Sequence, residues 1–401
     1  MGGTGMAHHS EFEATEILSD SRASRAEPAL TFDIRFTGSG SEYFRIWIVN
    51  LLLTLVTFTL YWPFARARRL AYFQNNTLVG KDPLGFHGDP WKMFRGYLLM
   101  LLFGVSYWAV SNFAPAFAWL PLLVLAVLWP ALWRASLQFR LRNTSWRGVR
   151  LSFEGDLKGA YLCMLPFFIP VFLIGMVMGV VASAAQGAEA GEAGAVFVAA
   201  TALMVLAMAA LSPWLMARIK RYQHGGYAFA QERTRLTAGL GAFYGFSFRV
   251  AGVSVLCTAL LAAVGALVAV TLGIGGGAAM IALPFVLALA YLVFPLVLMP
   301  YTTSRLQNLL WSHTRSPRIR FNSQLRFSPL VRLTAKNWLL IALTLGLYWP
   351  FAKVHTARLR LEAMAIAVQG DVNAWLAKAQ GGDKGILGDA AGDFFGIDMG
   401  L

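Results

Sequence analysis

Leu60-Tyr61-Trp62-Pro63-Phe64-Ala65 recurs 287 positions later as Leu347-Tyr348-Trp349-Pro350-Phe351-Ala352. Extended without a gap, Arg45–Ala65 against Arg332–Ala352 keeps eleven of twenty-one positions identical, among them Asn50/Asn337 and Thr57/Thr344. A second offset of 67 joins Trp62-Pro63, Asn76-Thr77 and Gly88-Asp89 to Trp129-Pro130, Asn143-Thr144 and Gly155-Asp156. Fainter echoes put Pro213 five residues before Arg218, and Pro300 five before Arg305, as Pro63 precedes Arg68. The chain therefore reads as five units, near residues 29–80, 81–147, 148–233, 234–316 and 317–380. Repeated units stack to bury what one alone leaves exposed.

Each unit opens with an alternating segment such as Leu30-x-Phe32-x-Ile34-x-Phe36 or Val149-x-Leu151-x-Phe153, the period-2 pattern of a half-buried strand. An apolar element follows, then proline, then a basic amphipathic helix such as Arg66 to Tyr72. Five strand segments should gather into a small cytoplasmic β-structure beneath the helices.

The apolar elements belong in a bilayer. The 401 residues are 57% hydrophobic and 13% charged, with mean hydropathy +0.56, against about 45–50% and 25% in soluble domains. Gly96–Trp133, Gly159–Ala217 and Val250–Ser304 contain no Lys or Arg, and their only charges are Glu189 and Glu192. A span needs about 20 apolar residues, so each stretch accommodates two helices, with turns at Ser111–Ala116, Ala184–Gly194 and Gly273–Gly277. About six full spans, paired as three hairpins, are expected. The links between them are basic, from Arg134 to Lys158, Arg218 to Arg235 and Arg305 to Arg332, which places them in the cytoplasm.

Trp47–Phe64 and Trp338–Phe351 are long enough to cross once at most. Single crossings would export Arg22, Arg25, Arg35, Lys353, Arg358 and Arg360. Short re-entrant elements avoid that; eight ordinary spans with both termini outside is the alternative. Residues 1–28 read as a disordered cytoplasmic tail. Residues 381–401, Gly-rich with Asp383, Asp389, Asp393 and Asp398 around Phe394-Phe395, read as an acidic tail that either docks on the basic surface or stays solvated.

The formal net charge is +14, which in a membrane protein points to anionic headgroups rather than nucleic acid. The interface motifs Tyr61, Trp62, Pro63 and Tyr348, Trp349, Pro350 suit the headgroup level. The functional reading is that Arg66, Arg68, Arg69, Lys353 and Arg358 bind an anionic lipid or solute. Asn50 and Asn337 recur inside apolar runs, where an amide is costly without a hydrogen bond, and are expected to brace the turns. Ser106, Tyr107, Asn112, Ser254 and Thr258 would bond a neighbouring helix, and Gly175-x3-Gly179 would allow a close helix contact. The Gly-Asp pairs read as strand-ending turns, with Gly at positive φ. His87, His224, His313 and His355 stand in separate segments without metal-ligand spacing, and Cys163 and Cys257 form no CxxC. No catalytic set, metal or cofactor is expected.

Phe36-Thr-Gly-Ser-Gly-x-Glu-Tyr-Phe44, Leu60-Tyr-Trp-Pro-Phe-Ala-Arg-x-Arg68, Asn75-Asn-Thr77, Phe86-His-Gly-Asp89 and Gly388-Asp-x-x-x-Asp-Phe-Phe-Gly-Ile-Asp398 resemble the YjgN-like family of bacterial inner-membrane proteins of unknown function. The resemblance runs from Leu30 through nearly the whole chain. Phe58-Thr59 departs from the family-like Leu345-Gly346. The resemblance implies a multi-pass protein of the cytoplasmic membrane and carries over no catalytic residue; the re-entrant reading of the end elements keeps both termini inside. Two functions stay open: transport or permeation of a small solute, which six spans and repeats favour, and lipid-headgroup binding or scaffolding without transport. Substrate and oligomeric state are not legible.

Overall fold

The computed structural model describes residues 29–187, 190–271 and 277–382. The two tails, and parts of the turns expected at Ala184–Gly194 and Gly273–Gly277, lie outside the described residues. The first pass along the chain runs β1 (Ala29–Phe36), α1 (Gly40–Val56), α2 (Trp62–Asn75), β2 (Thr77–Val79), β3 (Asp82–Phe86), α3 (Pro90–Phe113), α4 (Trp119–Arg142), β4 (Thr144–Trp146) and β5 (Val149–Phe153). The middle adds α5 (Leu157–Met164), α6 (Phe168–Gly187), α7 (Ala190–Gly225), β6 (Tyr227–Phe229), β7 (Glu232–Arg233) and β8 (Arg235–Leu236). The last part comprises α8 (Leu240–Thr271), α9 (Gly277–Ser312), β9 (Thr314–Arg315), β10 (Ile319–Ser323), α10 (Phe327–Leu343), α11 (Trp349–Glu362), β11 (Met364–Gln369) and α12 (Val372–Gly382).

The sheet corrects the expectation of short strand segments beneath six spans. Eleven antiparallel strands form one sheet in the order β7-β6-β5-β4-β3-β2-β1-β11-β10-β9-β8. Its two edges, β7 and β8, are separated in sequence by Thr234 alone, so the sheet is a nearly closed barrel. The first strand is shut between β2 and the last: Ile34 faces Val79, and Leu30 faces Val368. Residues 148–233 supply three strands and each of the other four stretches two, not single strands. Among the described residues five helices are long and apolar enough to cross a membrane; the start of α9, where the sixth expected span falls, lies largely outside the residues whose side chains are described. The five are Pro90–Phe113, Pro115–Arg142, Leu157–Ser183, Gly194–Gly225 and Leu240–Val268. At most 17% of their most apolar stretches is buried within the protein. Apolar surface on that scale, left in water, would aggregate.

Polar side chains mark where helix becomes strand. Asn76 and Asn143, at the ends of α2 and α4, donate from Nδ2 to the carbonyls of Tyr72 and Phe139 at 2.9 and 2.8 Å. The following Thr77 and Thr144 donate to Phe73 and Arg140 at 2.7 and 2.8 Å. Helix-end carbonyls otherwise lacking partners are thereby satisfied, and the chain leaves extended. The return from strand to helix uses Ser39, Asp89 and Asp156, whose oxygens accept from the backbone of Glu42, Trp91 and Gly159. The Gly-Asp pairs are thus helix N-caps. Neither Gly88 nor Gly155 has a positive φ; a Cβ at Gly88 would meet the Phe86 ring, and one at Gly155 the Phe153 ring and the Tyr222 hydroxyl.

The barrel interior is filled. Ile34, Val79, Trp146, Val149, Ile319, Met364 and Val368 from six strands meet Val372, Trp375 and Leu376 of α12 in one apolar cluster. Smaller clusters sit where the helical pairs meet the sheet, such as Phe36, Tyr43, Tyr72 and Val354, or Ala67, Met93 and Phe139. The junction of α9 with α11 is polar instead: Gln307 donates to the Arg360 carbonyl at 2.9 Å and accepts from Arg360 Nε at 2.9 Å.

Two expected contacts are not made. Ser106, Asn112, Ser254 and Thr258 donate to backbone carbonyls four residues back on their own helices, not to neighbours. Gly175 and Gly179 would meet nothing among the described residues within 4 Å if given a Cβ, so no described helix approaches closely there.

Candidate lipid-headgroup clefts

The Tyr-Trp-Pro-Phe motif builds two matching helical hairpins. After α1 the chain turns through Phe58 and Thr59 at φ 47° and 73°; after α10 it turns through Leu345 and Gly346 at 48° and 93°. Phe58-Thr59 therefore adopts the same left-handed path as the sequence it replaces. Thr57 and Thr344 clamp these turns: each hydroxyl donates to the carbonyl four residues earlier, at 2.8 and 2.7 Å, and each accepts from the Tyr61 or Tyr348 N–H at 2.9 Å. Pro63 and Pro350 then occupy the first helical turn, where a missing N–H costs nothing. Tyr61 stacks on Phe64 with centroids 5.6 Å apart, and Tyr348 on Phe351 at 5.4 Å.

Each hairpin forms one wall of a cleft. The first, of about 120 Å³, is lined by Tyr43, Trp47, Asn50, Leu51, Thr54, Trp62, Ala65, Arg66, Arg69 and Trp349. The second, of about 280 Å³, is lined by Leu330, Thr334, Asn337, Trp338, Ile341, Trp349, Ala352, Lys353 and Thr356, with Met299, Pro300, Thr303 and Arg360. Adding 287 to the number of each of the first nine residues of the first cleft gives the first nine of the second. The two clefts are neighbours, because Trp349 lines both. Each is closed by a residue preceding a proline: Trp349 before Pro350 in the first, Met299 before Pro300 in the second.

These clefts are amphipathic. Trp47 and Trp349 approach to 6.1 Å between ring centroids, and Lys353 Nζ lies 5.0 Å from the Trp349 ring centre. Burial lowers the Lys353 ammonium below its ordinary range, and repulsion from Arg69 and Arg360 lowers it further. Burial also lowers Arg360. Cations held this close, and partly out of water, favour an anion between them. Asn50 and Asn337 are 7% and 4% exposed. Asn337 Nδ2 reaches Thr356 Oγ1 at 3.3 Å and the Ala352 carbonyl at 3.5 Å, bridging α10 to α11. The side-chain oxygens of both asparagines are buried without a donor among the described residues.

Of the five cations singled out from the sequence, Arg66 and Arg69 line the first cleft and Lys353 the second. Arg68 and Arg358 line neither: Arg68 sits over the Tyr61 ring at 5.7 Å, and Arg358 donates to the Gly38 carbonyl at 2.8 Å. Tyr61, Pro63, Tyr348 and Pro350 shape the hairpins, while Trp62 and Trp349 line the clefts. Arg360 was missed. Its signal is helical spacing: Ala352, Lys353, Thr356 and Arg360 share one face, as do Trp62, Ala65, Arg66 and Arg69, at steps of three and four.

The histidines serve separate local bonds. His87 meets Ser145 at 2.8 Å, His224 meets Thr314 at 2.9 Å, His313 the Leu309 carbonyl at 2.8 Å, and His355 Tyr348 at 3.4 Å. Among the described residues no three His, Cys, Asp or Glu side chains converge as a metal site would need.

Residues 31–394 match the family described as "Bacterial protein of unknown function (DUF898)". The chain is 29% identical over 140 residues to the inner membrane protein YjgN of Salmonella typhimurium, and 31% identical over 143 residues to the protein of that name in Escherichia coli O157:H7. Each alignment covers 35% of this chain and 35% of the relative, so about a third of the length of these curated relatives is matched. No solved structure matches.

Proposed function

The chain belongs to the DUF898 family of bacterial proteins of unknown function, and from that premise we propose that it is an inner-membrane protein holding anionic lipid headgroups in its two clefts. Bare apolar helices and the name of its curated relatives support the location. Both ends of every helical pair return to the one sheet, and the links carrying those strands are basic. This supports a cytoplasmic barrel, with the chain entering and leaving the bilayer on that side. The arms of the first and last hairpins, 17 and 14 residues in each, span roughly 25 and 21 Å at 1.5 Å per residue. A hydrocarbon core is about 30 Å thick, so re-entrant hairpins, whose tryptophans and cations lie at headgroup depth, agree with these lengths.

One observation carries the reading. Nine lining positions of one cleft correspond one for one to nine of the other, and both sets combine tryptophan, a buried asparagine and a cation at the Arg66/Lys353 position, with Arg69 adding a second cation in the first and Arg360, outside the nine, in the second. Clefts that enclose drug-sized ligands run to about 300–1,000 Å³; these are smaller and suit a headgroup whose chains remain in lipid. The packed apolar interior of the barrel weighs against a solute path through it. In this reading five repeated units form a ring, and the lipids sit at two of its joints.

The test is lipid retention by the full-length chain in detergent micelles, counted by native mass spectrometry with phosphatidylglycerol and phosphatidylcholine of identical chains. Two tightly held phosphatidylglycerol molecules are expected, with Arg69→Ala and Lys353→Ala each losing one. Equal retention of both lipids by the wild type, or unchanged retention by both variants, would overturn the proposal.

A further inference from the structure

The cations explain a negative charge in the clefts but leave the asparagines unexplained. Asn50 and Asn337 stand at matching positions, each is more than nine-tenths buried, and each carries a side-chain oxygen with no donor among the described residues. A buried acceptor without a partner is costly, and each one in a folded protein calls for an explanation. Thr54 cannot supply the donor in the first cleft, because its hydroxyl is committed to the Asn50 backbone carbonyl at 2.6 Å. In the second cleft Thr334 donates to Leu330, four residues back, at 2.8 Å.

We propose that Asn50 and Asn337 select, among anionic lipids, those whose headgroup carries a hydroxyl, each side-chain oxygen accepting a hydrogen bond from it while the neighbouring cations hold the phosphate. This rests on the headgroup reading above and adds a specificity to it. An ammonium is the other donor that a phospholipid headgroup offers. Arg66 and Arg69 in the first cleft, and Lys353 and Arg360 in the second, oppose a second positive charge there. A glycerol hydroxyl donates without that repulsion, so the class named is the phosphatidylglycerols. Trp62 and Trp349 flank the apolar side, where the glycerol backbone and chains emerge.

The experiment compares phosphatidylglycerol with phosphatidylmethanol, which has the same negative charge and chains but no hydroxyl, and with phosphatidylethanolamine and phosphatidylcholine. The probe lipids are titrated onto the full-length chain in detergent and bound copies are counted by native mass spectrometry. One neutral hydrogen bond corresponds to about fivefold in affinity, so phosphatidylglycerol should exceed phosphatidylmethanol about fivefold at each site. Asn50→Leu with Asn337→Leu should erase that ratio and keep both anionic lipids above phosphatidylcholine. Equal binding of phosphatidylglycerol and phosphatidylmethanol by the wild type would overturn this inference while leaving the headgroup reading intact. A tighter phosphatidylethanolamine complex, or a ratio unchanged in the leucine variants, would also overturn it. Should those variants fail to fold, the wild-type ratio alone decides. Loss of all preference over phosphatidylcholine would instead refute the headgroup reading.

Discussion

Replacing Trp375 by alanine should detach α12 from the barrel. Trp375 is 7% exposed and meets the Phe229 ring edge-on at 5.3 Å. A buried tryptophan hides about 150–250 Å², which at about 25 cal/mol per Å² amounts to about 4–6 kcal/mol. Alanine keeps a fraction of that burial, and truncations of this kind cost about 3–5 kcal/mol. The helix is otherwise held by Val372 and Leu376, by its Asp371 cap and by a 3.2 Å bond from Arg147 to Asn373. Little else resists its local opening, so most of the loss should appear there. Hydrogen exchange of the full-length protein in detergent reads this directly. Since 1.4 kcal/mol is a factor of ten, amides of Val372–Gly382 should exchange at least about 100-fold faster, with Gly40–Val56 unchanged. Acceleration below about tenfold would refute the claim that α12 is part of the barrel core.

Asp156→Ala removes the acceptor for the Gly159 N–H and should lower thermal stability by about 1 kcal/mol. Gly155→Ala forces a Cβ to within 2.7 Å of the Tyr222 hydroxyl and should cost about 1–3 kcal/mol, read as a lower melting temperature in detergent. Gly346→Ala, at φ 93°, should cost about 1–3 kcal/mol by backbone strain, with unchanged stability refuting the left-handed turn. Lys353 titrates below its ordinary 10.5 because of burial and its cationic neighbours. An anion there binds the protonated form, so raising the pH should empty the second cleft before a free lysine would titrate. The first cleft, which relies on guanidinium groups, should keep its lipid; simultaneous loss from both would contradict the assignment.

Alternation made β1 and β5 legible: Ile34 and Phe36 are buried between exposed Asp33 and Arg35. Strands of two or three residues, such as Thr77–Val79 or Thr314–Arg315, are too short to display a period, so alternation reveals fewer than half of the eleven strands. The Asn-Thr pairs were recognised as repeats, but what they do, ending a helix and opening a strand, needs hydrogen-bond geometry to see. In the clefts, the paired asparagines and three of the five chosen cations stood out by recurrence. Arg68 and Arg358 were chosen for proximity in sequence to the motif, whereas lining a cleft depends on helical spacing, which selects Arg360 instead. The barrel plug was illegible because Val372, Trp375 and Leu376 find their partners only across the closed sheet.

Among the described strands the first pairs along one edge with the last: Ala29 waits for Gln369. Until β11 has left the ribosome, that edge of β1 has no native partner, and unpaired edges recruit wrong ones. Pairings so distant in sequence form slowly. Membrane insertion of the intervening helices can therefore finish before the ring of strands shuts, which makes ring closure the late step of biogenesis and the one that distinguishes an inserted chain from a finished protein.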